Sequence, residues 1–139
     1  MALRANGRAL IGALLLGTAT THAGAGEIVA CHVTYGGETK TVEARPTASP
    51  YTVAPVDFGS YLQFRIVFRS EPADLASIKL YTYARHDDVD GRPLIHQATY
   101  AYPPVPAGSY GFTGLNHAYE PRYGLVLEYW CELREAISK

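Results

Sequence analysis

Only two cysteines occur in this 139-residue chain, Cys31 and Cys131, and each stands in phase with the apolar set of an alternating segment. Val29, Cys31, Val33 and Tyr35 alternate with Ala30, His32 and Thr34; Leu125, Leu127, Tyr129, Cys131 and Leu133 alternate with Val126, Glu128, Trp130 and Glu132. A period of two marks a strand with one buried face, so both thiols point into a core. Two core-facing half-cystines can meet, and the predicted pairing is a disulfide that fastens the first strand to the last. By the chain-entropy argument, a cross-link closing a loop of about 100 residues stabilises by about 4–5 kcal/mol. The competing arrangement is a pair of free thiols buried as small apolar groups. No C-x-x-C spacing is present, so nothing points to disulfide-exchange chemistry.

A disulfide needs an oxidising compartment, and the amino-terminal residues agree with one. Arg4 and Arg8 form a basic start, residues 9–16 a short apolar run, and Ala23, Gly24 and Ala25 the small residues at which a signal peptidase cuts. The run is too short to span a bilayer as a helix. The predicted organisation is a cleavable secretory signal over residues 1–25 followed by a single β domain over residues 26–139, periplasmic or secreted. Acylation of Cys31 at the lipobox-like Ile28-Val29-Ala30-Cys31 is the alternative; it conflicts with Glu27 and the glycines separating this cysteine from the apolar run. The chain has 12 basic and 13 acidic side chains. Loss of Arg4 and Arg8 leaves the domain mildly acidic, with no basic footprint for nucleic acid and no long apolar stretch for a transmembrane anchor.

The rest of the chain continues the two-residue period. Residues 29–35 and 38–44 read as a hairpin around Gly36-Gly37, and residues 61–69 as a strand with Leu62, Phe64, Ile66 and Phe68 inward and Gln63, Arg65 and Arg69 outward. A turn follows at residues 70–76, with one helical turn capped by Ser70 and started by Pro72. Residues 78–85 and 94–102 form the next two strands, joined by a loop over 86–93. Residues 108–124, rich in glycine, read as a long ordered loop with a short strand at 110–112, and residues 124–133 as the last strand. Six or seven short strands without βαβ alternation predict an all-β fold: an antiparallel β-sandwich, with a small β-barrel as the alternative. Tyr129 lies two residues before Cys131, which resembles the tyrosine corner of immunoglobulin domains. The resemblance stops there, because Trp130 adjoins Cys131 instead of lying between the cysteines, and no strand follows.

Candidate chemistry is sparse. Asp87, Asp88 and Asp90 resemble part of a calcium loop, but the EF-hand alignment sets His86 at position 1 and Gln97 at position 12, so the two decisive carboxylates are missing. The histidines of the domain, His32, His86, His96 and His117, show no metal-ligand spacing. A copper or zinc site would require at least two of His86, His96 and His117 to converge with an acidic or sulfur ligand. Ser109 lacks the first glycine of a nucleophile elbow and precedes no helix. A small hydrolase would therefore need a pocket in which the fold assembles paired carboxylates or a serine against a histidine.

Tyrosine is the remaining signal, with eleven against four phenylalanines. Tyr81 and Tyr83 share a face with Lys79 and Arg85, and such rings suit half-wet recognition surfaces as well as cross-strand pairs within a sheet. If Cys31 lies opposite Cys131, His32 lies opposite Trp130 on the outer face. The expected function is an exported binding or interaction module without catalytic chemistry or cofactor, whose partner is another exported or envelope protein. Its candidate contact residues are Tyr81, Tyr83, Trp130, His32 and His117, with the segment over residues 111–123 as a presented loop. Metal binding and hydrolysis are the alternatives.

Overall fold

In a computed structural model, which describes residues 26–137, the chain forms eight strands. They are β1 (Glu27–Tyr35), β2 (Glu38–Ala44), β3 (Val56–Phe58), β4 (Leu62–Arg69), β5 (Ser77–Ala84), β6 (Leu94–Ala101), β7 (Asn116–Glu120) and β8 (Leu125–Glu135). Single 3₁₀ turns lie at Pro50–Thr52 and Ala73–Leu75. The expected signal segment, residues 1–25, lies outside the described residues.

The β1–β2 reversal needs two left-handed residues, and Gly36 and Gly37 supply them with φ of 60° and 80°. Two four-stranded antiparallel sheets result, one in the order β2-β1-β8-β7 and the other β3-β4-β5-β6. Their inner faces meet in a core that includes Val29, Val33, Phe64, Phe68, Leu80, Leu127 and Tyr129. Phe64 packs on Tyr129 across the sheets, with ring centroids 5.0 Å apart. Consecutive strands pair with each other, except at β2→β3 and β6→β7, where the chain changes sheet, and β8 returns to pair with β1. That is the strand order of an up-and-down barrel opened into a sandwich, and it lacks the Greek-key crossover of the immunoglobulin fold. Prolines explain the two openings. Pro46, Pro50 and Pro55 occupy one crossing and Pro103, Pro104 and Pro106 the other, and a residue with no N–H and a fixed φ cannot extend a ladder.

Cys31 and Cys131 form the disulfide, both fully buried and directly opposite in the β1–β8 register. The bond therefore joins neighbours within one sheet. The Cys131 N–H donates to Thr113 Oγ1 at 2.9 Å and its carbonyl accepts the Phe112 N–H at 2.9 Å, so its backbone faces away from β1. Such a pair is the narrow, non-hydrogen-bonded kind, which agrees with a Cα–Cα distance of 4.0 Å.

The structure differs from the local expectations at four places. β3 was not foreseen, because three residues carry no period. β7 lies within the segment expected to be a loop; its buried residues are Ala118 and Glu120, and neither advertises a core face. Around residues 110–112 there is no strand but one bridge from Gly111 to Cys131. A Cβ on Gly111 would lie 2.0 Å from the Cys131 carbonyl oxygen, at a φ of +61°, so only glycine fits there. The helical turn begins after Pro72, with no side-chain cap from Ser70.

Candidate ligand-binding groove

A concavity opens on the outer face of the second sheet. From β4 it receives Arg65, Val67 and Arg69, and from β5 Ser77, Lys79, Tyr81 and Tyr83. The β4–β5 register sets Arg65 beside Tyr81, Val67 beside Lys79 and Gln63 beside Tyr83. Residues 45–55 form a strap along the edge of β4 that β3 leaves free. The strap starts with the Thr47 N–H donating to the Phe68 carbonyl at 2.8 Å. Thr47 and Thr52 hydroxyls then bond to the Ser49 carbonyl and fold the strap into its 3₁₀ turn.

Arginine side chains of β4 hold the strap down. Arg65 Nε donates to the Val53 carbonyl at 2.8 Å, and one terminal nitrogen donates to the Pro50 carbonyl. The other terminal nitrogen reaches the Tyr83 hydroxyl at 3.4 Å, while the guanidinium carbon lies 5.4 Å from the Tyr81 ring centroid. Arg69 donates to the Ala48 carbonyl at 2.9 Å. Charge-assisted bonds of this kind are the stronger class, so the strap is anchored at three carbonyls.

Two cavities open on either side of Arg65. One, of about 330 Å³, is lined by Tyr51, Arg69, Leu75, Lys79 and Tyr81; the other, of about 290 Å³, by Tyr51, Val53, Tyr83 and Arg92. No carboxylate lines either one. Tyr51 is 93% exposed and belongs to both. The Tyr81 and Tyr83 rings lie nearly parallel, 13° apart with centroids 6.1 Å apart. Lys79 and Arg92 pair with no carboxylate among the described residues, which leaves two cations free to meet a ligand.

Tyr81 and Tyr83 are thus in the groove, whereas Arg85 follows the end of β5 and does not line it. Arg65, Arg69, Tyr51 and Arg92 were not foreseen as site residues. The outward phase of Arg65 and Arg69 was visible in the sequence, but not that it falls beside Lys79, Tyr81 and Tyr83 under a strap.

The other candidates lie elsewhere. On the outer face of the first sheet His32 stacks on Trp130, with centroids 4.1 Å apart and planes at 21°, and His32 Nε2 contacts Glu132 at 3.1 Å. His117 pairs with Glu128 at 2.9 Å on the same face. His86 Nε2 meets Glu120 at 2.9 Å, and His96 Nε2 meets the Tyr129 hydroxyl at 2.6 Å. Burial pushes the His96 ring below its ordinary range and the Tyr129 hydroxyl above its own. Each of the three proposed metal-ligating histidines is therefore paired separately, and among the described residues no three potential ligands converge. Residues 111–123 form no presented loop, since β7 and the Gly111 bridge fasten them along β8.

The chain matches no protein-family model, no curated protein and no solved structure. Cationic groups without carboxylates, set among tyrosine rings, favour an anionic ligand that has faces to stack.

Proposed function

We propose that this domain is a binding module that works outside the cytoplasm and holds an anionic ligand between the strap and the outer face of the second sheet. The observation that carries the reading is the composition of the groove: Arg65, Arg69, Lys79 and Arg92 with Tyr51, Tyr81 and Tyr83, and no acidic side chain, in a chain with slightly more acidic than basic residues. Each element has a distinct part. Arg65 and Arg69 set the strap, Lys79 and Arg92 attract charge, and the tyrosine rings supply contact area. The buried disulfide and the export-like residues 1–25 support a periplasmic or secreted location.

Amide-shift titration of the disulfide-bonded protein tests this. Oligogalacturonate, a heparin-derived tetrasaccharide and tetraglutamate serve as anionic probes. At least one is expected to shift amides of the strap, β4 and β5 while sparing the first sheet, with binding weakened in high salt and by Lys79→Glu. If none of the three perturbs those amides, or if Lys79→Glu leaves the shifts intact, the groove is not the binding site.

A further inference from the structure

We infer that the ligand of this groove is an acidic oligosaccharide, a short run of pyranose rings bearing carboxylate or sulfate groups; this rests on the binding reading above. The choice between a sugar and a peptide turns on the backbone beneath the groove. A peptide gains most of its affinity for a sheet by adding a strand to an open edge. Here the edge of β4 is held at both ends and crossed by the strap. β4 is paired along its length with β5, β3 covers its first residues, and the strap's Thr47 N–H takes the Phe68 carbonyl farther along. The strap's own carbonyls at Ala48, Pro50 and Val53 are occupied by Arg69 and Arg65. What the two cavities offer a ligand is mainly side chains: ring faces, hydroxyls and two cations that pair with no carboxylate among the described residues.

Those side chains match a chain of sugar rings. The C–H faces of a pyranose stack on aromatic rings, and each cavity has a sheet tyrosine, Tyr81 or Tyr83, with the exposed Tyr51 at the lip of both. The Thr47 and Ser77 hydroxyls line the larger cavity; their protons go to the Ser49 and Leu75 carbonyls, and each oxygen keeps a lone pair that can accept from a sugar hydroxyl. The unpaired cations are divided between the cavities, Lys79 in one and Arg92 in the other, so charge is expected at more than one place along the ligand. Lys79 and Tyr83 are four residues apart on β5, about 13 Å at the rise of a strand, which suits an oligosaccharide better than a single ring.

Calorimetry on the disulfide-bonded protein separates the possibilities. Oligogalacturonate tests carboxylated sugars, a heparin-derived tetrasaccharide tests sulfated ones, cellotetraose is the uncharged control and tetraglutamate the charged peptide. One of the two acidic sugars is expected to bind at least about tenfold more tightly than either control, a difference of about 1.4 kcal/mol. Tyr81→Ala is expected to remove the preference over tetraglutamate and Tyr81→Phe to keep it, with hydrogen-exchange protection of the strap unchanged in both; loss of that protection in Tyr81→Ala would assign the ring a structural role instead. Equal or tighter binding of tetraglutamate, with groove amides shifting, would overturn the sugar assignment and leave the groove reading standing. Cellotetraose binding as well as the acidic sugars would overturn the requirement for charge. No binding of any anion would overturn both readings.

Discussion

Glu120 shows what a single buried side chain can do in this domain. It is 1% exposed and on the inward phase of β7, where a carboxylate is out of place unless its oxygens are satisfied. They are: the N–H groups of Arg122 and Tyr123 donate to it at 2.9 and 2.7 Å, and His86 Nε2 donates at 2.9 Å. Burial raises the carboxyl's pKa, but the Tyr123 N–H, the His86 ring and the Arg122 N–H together outweigh it, so Glu120 titrates below its ordinary 4.5. Asp88, held below its usual range by Arg122, ties the 86–93 loop to the same turn. The unfolded chain takes up the Glu120 proton at a higher pH than the folded one. Its contribution is therefore complete above about pH 4.5 and is lost as pH falls through the lower folded value. His96 acts in the same direction from a higher start, since burial keeps its folded pKa below 6.5. Thermal unfolding from pH 8 to pH 3 is expected to show stability declining below about 6.5 and more steeply below about 4.5. Glu120→Gln is expected to lower the Tm at pH 7 by several degrees and to flatten the lower step. An unchanged acid slope in that variant would mean that Glu120 does not supply it.

At the scale of elements, the strap is the feature that turns a plain sheet face into a groove. It contains no strand, so its position depends on Arg65 and Arg69 more than on any ladder. Arg65→Met keeps the apolar stem and removes every donor. Strap amides at Thr47, Ser49 and Thr52 are expected to lose hydrogen-exchange protection, groove binding to fall by at least about tenfold, and global stability to drop by only about 1–3 kcal/mol. Retained protection in the strap would show that the prolines alone set it. What the sequence revealed at this scale follows from period. β1, β4, β5, β6 and β8 run for eight residues or more and β2 follows the Gly36-Gly37 reversal, so these six were legible. β3 has three residues, and β7 buries an alanine and a glutamate, so neither produced a pattern to read. The groove was legible only in halves: Arg65 and Arg69 on one strand, Lys79, Tyr81 and Tyr83 on another. Joining them requires the register that sets Arg65 beside Tyr81, and one sequence does not contain that register.

For the whole molecule, the disulfide sits where chain closure is most costly. Five of the six strand pairings link strands that follow one another along the chain; β1 with β8 is the exception, and it joins the two ends of the domain. Local hairpins form at small loop-closure cost, whereas the β1–β8 ladder has to overcome the closure entropy of nearly the whole chain. A cross-link at Cys31 and Cys131 removes that cost from the unfolded state, by up to about 4–5 kcal/mol. Against a typical stability of about 5–15 kcal/mol for a folded domain, this is a large share. The Cys31→Ala/Cys131→Ala double variant is accordingly expected to unfold at a much lower urea concentration and to fold more slowly, because β1 and β8 must then find each other by diffusion. Hydrogen exchange in that variant should weaken first in the β2-β1-β8-β7 sheet, while β4, β5 and β6, a meander of neighbours, retain more of their protection. A loss below about 1 kcal/mol, or uniform weakening of both sheets, would mean that the β1–β8 ladder closes without help from the bond. The expected result also bears on compartment: a domain whose one long-range pairing depends on a disulfide is stable where thiols are oxidised and marginal where they are kept reduced.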